Sequence, residues 1–225
     1  MRESMKMRDR LKRTGWMSIL AFVSGIEFFA AGSAGAQSAV ISNHDFESPA
    51  LSGGGFSQAV PPGWTLFGGS PSNTGVFHPT VVSWGYVAPS GNQLLYLNGA
   101  TVEQQLSTNV VAGETYLLAV DVVRRPNFWN PGYRIDFFAG SVLLGTDLGS
   151  LVPEVGFSRT SLIEYTAGPS DPAVGQPLRI RLGGPTQTNF DDVRVFLPEP
   201  GIASGLVGLV PIAVRARRRR SRRQV

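Results

Sequence analysis

Residues 38–196 consist of short runs rich in β-branched and aromatic residues, and Gly, Pro, Asn and Ser separate these runs. The runs are AVISN, WTLF, TVVSWGYV, QLLYLN, VEQQL, TYLLAVDVV, YRIDFF, SVLLG, SLIEYT, PLRIRL and NFDDVRVF. A spacing of roughly 8–15 residues between such runs is typical of an antiparallel sandwich or barrel. No stretch of the region has a sustained helical period, so the sequence predicts an all-β fold, an antiparallel β-sandwich over residues 38–196.

Positive charge is concentrated at the two ends of the chain and not in this β-type region. Residues 38–196 contain seven arginines, no lysine and twelve Asp or Glu residues, so the region itself is acidic. The net charge of +4 therefore comes from the terminal segments. A nucleic-acid-binding surface needs basic residues clustered on the folded part, and we expect no nucleic-acid partner.

The first 36 residues have the order of an export signal. Basic residues within 1–13 precede the apolar stretch WMSILAFVSGI, and the small residues of SAGAQS follow it. Ala34 and Ala36 have the spacing of an A-x-A cleavage site. We predict a signal helix in residues 1–36 that is removed after Ala36. An uncleaved anchor is the alternative, which Glu27 disfavours because a carboxylate is costly in lipid.

The last 29 residues, 197–225, differ sharply from the middle of the chain. Pro198, Glu199 and Pro200 precede thirteen uncharged residues, 202–214, and an arginine-rich end follows. A helical membrane span needs about 20 apolar residues, so this hydrophobic tail is short.

These three features in this order resemble the PEP-CTERM sorting signal of Gram-negative bacteria that make extracellular polysaccharide. The resemblance implies that an exosortase removes residues 197–225 after the tail has entered the inner membrane. It also implies export to the cell surface or the extracellular matrix. A weak C-terminal membrane anchor is the alternative.

Oxygen-bearing side chains stand near both ends of the β-type region. NHDFESP contains Asn43 and Glu47, and NFDDVRVF contains Asp191 and Asp192. The chain has no cysteine, which excludes disulfides and thiolate ligands for zinc. Oxygen ligands favour Ca²⁺, a hard cation.

The orientation of Asp191 decides whether its carboxylate needs a partner. Side chains alternate along a strand, so Asp191 shares a face with Val193 and Val195. If these valines face the core, the carboxylate is buried and needs a cation or hydrogen-bond donors. In the alternative, Phe190 and Phe196 face the core and Asp191 is solvated.

The segments N-x-D-F-E, PPGW, AGETYLLAVDV and FDDV together resemble jelly-roll domains of the galactose-binding-like type, many of which are carbohydrate-binding modules. The resemblance implies an antiparallel jelly roll with neighbouring termini. It also implies a structural calcium between the first and last strands, with Glu47 and Asp191 as the first candidate ligands and Asn43 and Asp192 as the second.

Sugars stack on Trp and Tyr and hydrogen-bond to nearby amides. VVSWGYV places Trp84 and Tyr86 on one face of a predicted strand. RRPNFWNPGY places Arg124, Arg125, Asn127, Trp129 and Tyr133 in and around one loop. Trp129 is the main candidate for contact with a polysaccharide, because it stands between two Asn residues before a proline.

No catalytic motif stands out in the region. There is no GxSxG stretch for a serine nucleophile, and nothing selects a carboxylate pair for glycoside hydrolysis. We therefore expect a non-catalytic, carbohydrate-binding surface protein associated with exopolysaccharide. A structural or adhesive protein without sugar binding is the alternative, and a glycan hydrolase is the less favoured one.

Overall fold

The computed structural model of the protein describes residues 37–126, 128 and 132–197. These residues form ten strands, one short helix and a 3-10 turn. The elements are β1 (Thr65–Gly68), the 3-10 turn Pro71–Asn73, β2 (Thr74–Phe77), α1 (Val81–Trp84), β3 (Leu94–Leu97), β4 (Ala100–Asn109), β5 (Thr115–Val123), β6 (Arg134–Ala139), β7 (Val142–Asp147), β8 (Ser158–Thr166), β9 (Pro177–Gly184) and β10 (Thr188–Phe196).

The strands form two five-stranded sheets. Sheet I has the order β1-β4-β9-β6-β7, and sheet II has the order β2-β3-β10-β5-β8. All neighbouring strands pair antiparallel. The prediction of an all-β, antiparallel jelly-roll sandwich is confirmed.

The main core lies between the inner faces of the two sheets. Val120 and Val122 of β5 face it from sheet II, and Ile180 and Leu182 of β9 face it from sheet I. Each pair is two residues apart because side chains alternate along a strand. Full burial of one such side chain stabilises the fold by about 1.5–3 kcal/mol.

The two ends of the described region lie side by side, as the galactose-binding-like resemblance implied. Ser38 forms an antiparallel bridge with Phe196. The Ala39 N–H donates to the Val195 carbonyl at 2.9 Å, and the Leu197 N–H donates to the Gln37 carbonyl at 2.7 Å. The segment predicted as a first strand, AVISN, therefore runs along β10 without forming a longer strand of its own.

The segment TVVSWGYV is not a strand, contrary to the prediction. Thr80 caps the short helix α1, since its Oγ1 accepts a hydrogen bond from the Ser83 N–H at 3.0 Å. Gly85 ends the helix in the left-handed conformation, with φ of 78°. A threonine cap and a glycine stop are helix-end signals, and here they prevail over the strand preference of the valines.

Neither predicted orientation of Asp191 is correct. Asp192 has a φ of 45°, and the pairing register of β10 with β5 shifts between Asp191 and Arg194. This β-bulge breaks the strict alternation, so Phe190 and Val193 both face the main core. Asp191 therefore lies on the outer face of sheet II, where it is nevertheless fully buried.

The predicted signal helix and the predicted sorting tail, with Pro198, Glu199 and Pro200, lie outside the described residues and stay predictions. Within the described part of the chain, no helix has the length and apolar character of a membrane span.

Candidate functional site

A second, smaller apolar cluster lies on the outer face of sheet II. Alternation along the strands places its members there, because Val76, Leu95 and Phe190 face the main core and their neighbours face outward. α1 and the segment after it cover this cluster. Its buried members are Phe77, Tyr86, Ala88, Leu94, Tyr96 and Val123, with Trp84 packed against them.

A cleft of about 240 Å³ opens beside this cluster. It is lined by Phe56, Gln58, Phe77, Trp84, Tyr96, Asn98, Arg125, Gln187 and Asn189. The rings of Phe77 and Trp84 meet edge to face, with centroids 5.0 Å apart and an interplanar angle of 86°. The cleft is therefore an aromatic-walled site with several amide groups. Its volume lies below the roughly 300–1,000 Å³ typical of ligand pockets.

Arg125 forms one wall of the cleft. Its guanidinium carbon lies 4.1 Å from the centroid of the Trp84 ring and 5.6 Å from that of Phe77. Its Nη1 donates to the Gln187 side-chain oxygen. Burial lowers the pKa of Arg125, but an arginine stays charged at physiological pH. The cleft therefore contains a permanent positive charge.

The remaining polar groups of the cleft are neutral. The Tyr96 hydroxyl donates to the Ser57 carbonyl at 2.7 Å, and burial raises the Tyr96 pKa above its usual value. The Asn98 side-chain oxygen accepts from the Gln187 N–H at 2.6 Å. This bond fixes the turn before β10, in which Gln187 has a φ of 44°.

Asn189 is an unusual residue of the cleft. It is 1% exposed, and its Nδ2 has no hydrogen-bond partner among the described residues. Buried polar groups are almost always hydrogen-bonded. An unpartnered amide that lines a cleft is therefore a candidate donor to a ligand.

The described lining of the cleft includes no Asp, Glu or His. Such a site binds, orients and shields a planar molecule, and it offers hydrogen-bond donors and one positive charge. It does not offer a group that titrates near neutral pH for acid–base chemistry.

Two of the predicted metal ligands contact one loop. The Glu47 Oε1 accepts from the N–H groups of Asn92 and Gln93 at 2.6 and 2.7 Å. The Asp191 Oδ2 accepts from the Ser90 N–H at 2.8 Å. Burial raises the pKa of Asp191 to about 8. The structure therefore brings Glu47 and Asp191 to the same four-residue segment, 90–93.

The other two predicted ligands are engaged elsewhere. Asn43 exchanges two hydrogen bonds of 2.9 Å with the backbone of Ser48. The Asp192 carboxylate lies 3.3 Å from the Arg194 Nε. Across residues 37–126, 128 and 132–197, no group of three or more His, Cys, Asp and Glu side chains is placed to hold a metal ion.

The predicted sugar contacts are scattered. Trp84 lines the cleft, but on a helix and not on a strand, and Tyr86 is buried behind it at 3% exposure. Tyr133 belongs to the main core, since its ring packs against Phe190 and its hydroxyl donates to Asp147 at 2.7 Å. Tyr133 is 5% exposed, so the core covers most of its ring, and its role as a ligand contact stays a prediction. Asn127 and Trp129 lie outside the described residues.

Sequence reasoning missed most of the cleft. Phe77, Tyr96 and Asn189 come from three different strands, and each stands next to a core residue in the alternating pattern. The available signal was QLLYLN, in which apolar or aromatic residues occupy both faces of one strand. A strand that is apolar on both faces is covered on both sides, so its outward-facing tyrosine indicated a covered outer face.

Comparison with known proteins gives the family. A family model described as "HpiC1-like: HpiC1 cyclase" matches residues 37–196. No protein of curated function matches the chain significantly in sequence.

Two crystal structures of cyclases from Fischerella sp. TAU are similar to the chain. The Stig cyclase Fisc, in complex with (3Z)-3-(1-methyl-2-pyrrolidinylidene)-3H-indole, is 28% identical with a TM-score of 0.66, over 73% of this chain and 99% of that one. A cyclase in complex with 4-(1H-indol-3-yl)butan-2-one is 27% identical with a TM-score of 0.65, over 74% of this chain and 100% of that one.

These matches overturn two predictions. The function predicted above, a non-catalytic carbohydrate-binding surface protein of the extracellular matrix, is wrong, and so is the expectation that the chain is not an enzyme. The matched region coincides with the described sandwich and ends at residue 196, before the predicted sorting motif. The chain belongs to the HpiC1-like cyclase family.

Proposed function

We propose that the chain is a cyclase that binds a planar, indole-type aromatic substrate in the cleft on the outer face of sheet II and closes a ring in it. The observation that carries the proposal is the aromatic-walled cleft between Phe77, Trp84 and Tyr96 in a domain of a cyclase family. Two crystal structures of similar cyclases hold indole compounds, which supports the choice of substrate class.

Ring closure within one molecule needs the two reacting atoms to be held in contact. A site that folds a flexible substrate and excludes water lowers the entropic part of the barrier. The aromatic walls supply the stacking surface for the flat part of the substrate. The amides of Asn98 and Asn189 and the hydroxyl of Tyr96 supply hydrogen bonds that fix its orientation.

Calorimetric titration of the full chain with 4-(1H-indol-3-yl)butan-2-one tests the proposal. We expect binding that Trp84→Ala weakens roughly tenfold to a hundredfold, because one aromatic wall is removed. Phe67→Ala is the matched control, since Phe67 is 55% exposed on the other sheet. Absence of binding, or equal effects of the two variants, contradicts the proposed site.

Chromatography coupled to mass spectrometry tests the reaction itself. Ring closure without loss of atoms gives a product with the mass of the substrate and a different retention time. Indoles that carry an unsaturated side chain are suitable substrates, because the π electrons of the chain can form the new bond. We expect such an isomer with the wild-type chain and less of it with Trp84→Ala.

We also propose a structural Ca²⁺ between the Glu47 and Asp191 carboxylates. The supporting observation is a fully buried carboxylate, Asp191, whose described partners are two backbone N–H groups and no cation. A buried charge of this kind calls for a positive partner. Since two carboxylates do not complete a calcium site, carbonyl oxygens would have to supply the remaining ligands.

Thermal unfolding with calcium or with a chelator tests this second proposal. A metal that binds only the folded state raises its stability by mass action. We expect calcium to raise the Tm of the wild-type chain and to have little effect on Asp191→Asn. An identical Tm in calcium and in chelator contradicts the proposal.

For localisation, we propose export through the inner membrane of a Gram-negative bacterium, directed by residues 1–36. The basic, apolar and small-residue order of that segment supports it. Mass analysis of exported chains should then show an N-terminus at Gln37. An exported chain that retains residues 1–36 contradicts removal of the signal.

A further inference from the structure

We propose that the substrate of the cleft carries a carboxylate on its aromatic scaffold, and that Arg125 and Asn189 bind this carboxylate. The inference rests on the proposed function and adds the charge of the substrate. Two observations on the same cleft carry it: an arginine without an acidic partner among the described residues and a buried amide without a partner among them.

Three described arginines, Arg124, Arg125 and Arg159, form no ion pair with a described carboxylate, and of these three Arg125 is the one that lines the cleft. Arg134, Arg179, Arg181 and Arg194 each lie within 4.0 Å of a carboxylate. No carboxylate of the described residues forms an ion pair with Arg125. Its charge therefore lacks compensation in the part of the chain that the structure describes, although the guanidinium is partly withdrawn from solvent.

The guanidinium of Arg125 still has donors to offer. The guanidinium carbon lies 4.1 Å from the Trp84 ring centroid and 4.9 Å from that of Phe128, and the N–H groups of a guanidinium point outward in its plane. Of its five N–H groups, one described bond goes to the Gln187 side-chain oxygen. The remaining edge suits the two oxygens of a carboxylate, which an arginine binds in a planar fork.

Asn189 adds a donor of matching character. Its Nδ2 is buried and has no hydrogen-bond partner among the described residues. The Asn189 side chain lines the same cleft as Arg125. A carboxylate accepts hydrogen bonds only, so it matches a site that offers a guanidinium and an amide N–H. The described lining includes no Asp or Glu that would repel it.

A cationic substrate fits this cleft poorly. An ammonium group would approach the Arg125 charge where water is partly excluded, and like charges repel more strongly in such surroundings. The same indole scaffold with an acidic, a neutral or a basic side chain should therefore bind in that order of affinity.

Calorimetric titration of the full chain measures this order with indole-3-butyrate, 4-(1H-indol-3-yl)butan-2-one and tryptamine. We expect the carboxylate to bind at least about tenfold more tightly than the ketone, since charge-assisted bonds exceed neutral ones. Arg125→Gln should remove this preference, because it should weaken binding of the carboxylate far more than binding of the ketone. Arg125→Lys, which keeps the charge without the fork, should retain part of the preference.

Arg159→Gln is the matched control, because Arg159 is exposed on the edge strand β8 and does not line the cleft. It should preserve all three affinities. If the carboxylate binds no more tightly than the ketone, the inference is wrong while ketone binding still supports the proposed site. If none of the three compounds binds, both proposals fail. If Arg125→Gln and Arg125→Lys both weaken binding of the carboxylate and of the ketone equally, Arg125 only shapes the wall of the cleft, and the inference is wrong.

Discussion

At the scale of single residues, Asn189 is a polar group that the fold alone does not need. A buried donor without a partner costs about 1–3 kcal/mol, and Nδ2 of Asn189 has none among the described residues. We expect Asn189→Leu, of similar volume, to leave the Tm equal or higher and to weaken binding of indole-3-butyrate. Thermal unfolding and calorimetry check this. A lower Tm with unchanged affinity would assign Asn189 a structural role instead.

Because of Asp191, we expect the free energy of unfolding to depend on pH when a chelator is present. Burial raises its pKa in the folded state to about 8, above its usual value near 3.8. The folded state therefore binds the proton more tightly, so the stabilisation is complete below about pH 4 and is lost as the pH rises through 8. The loss is about 1.4 kcal/mol for each unit of pKa difference that is realised.

Urea unfolding of the wild-type chain and of Asp191→Asn at several pH values measures this dependence. The wild-type chain should lose more stability between pH 4 and pH 8, because the variant cannot ionise at this position. Parallel profiles of the two proteins would contradict an elevated pKa.

At the scale of elements, the bulge in β10 decides which of its side chains face the cleft and which face the segment 90–93. Asp192 holds it with a φ of 45°, which costs about 1 kcal/mol or more for a residue with a Cβ. We expect Asp192→Gly to be tolerated and Asp192→Val to lower the free energy of unfolding by about 1–3 kcal/mol. Chemical denaturation distinguishes the two. Equal stability of both variants would contradict a strained bulge.

A second prediction at this scale concerns Gly91 in the segment 90–93. Gly91 has a φ of 56°, and a Cβ there would collide with the Glu47 carboxylate. Gly91→Ala should therefore displace Glu47, lower the Tm and reduce any calcium effect on it. Gly113→Ala is the control, since Gly113 also has a positive φ but a Cβ added there would meet no described atom within 4 Å. Equal losses in both variants would attribute the effect to backbone strain alone.

The alternating pattern predicted most strands of the sandwich, because residues such as those of TYLLAVDVV and PLRIRL pack one face against the core. It failed at α1, where Thr80 and Gly85 set the ends of a helix. It also missed β2, whose four residues TGVF include a glycine. It could not foresee the bulge at Asp192, which moves Asp191 to the other face of the sheet. Two of the four predicted calcium ligands, Glu47 and Asp191, contact the same segment 90–93, while the calcium site itself stays a prediction.

The cleft could not be predicted from the sequence. Its aromatic residues Phe77, Trp84 and Tyr96 come from separate elements, and Arg125 and Asn189 join them through the pairing of β10 with β3 and β5. No motif marks such a set, because only the order of strands in sheet II brings its members together. The local surroundings in RRPNFWNPGY selected Trp129 as the main contact residue, and Arg125 of the same stretch was noted but not chosen as a contact.

At the scale of the whole molecule, one face of sheet II packs into the main core and the other face carries the cleft in which we propose that the substrate binds. The inner face packs against sheet I and holds the main core, and the outer face has its own apolar cluster under α1. The cleft thus stands on a rigid strand scaffold, and a scaffold of this kind holds a folded substrate in a fixed geometry.

The most direct test of the proposed substrate site is a crystal structure of the full chain with 4-(1H-indol-3-yl)butan-2-one, the ligand of a similar cyclase. We expect the indole ring in the cleft on the outer face of sheet II, in contact with Trp84 and with Phe77 or Tyr96. An indole ring bound at any other place on the sandwich, with the cleft left to solvent, would contradict the proposed site.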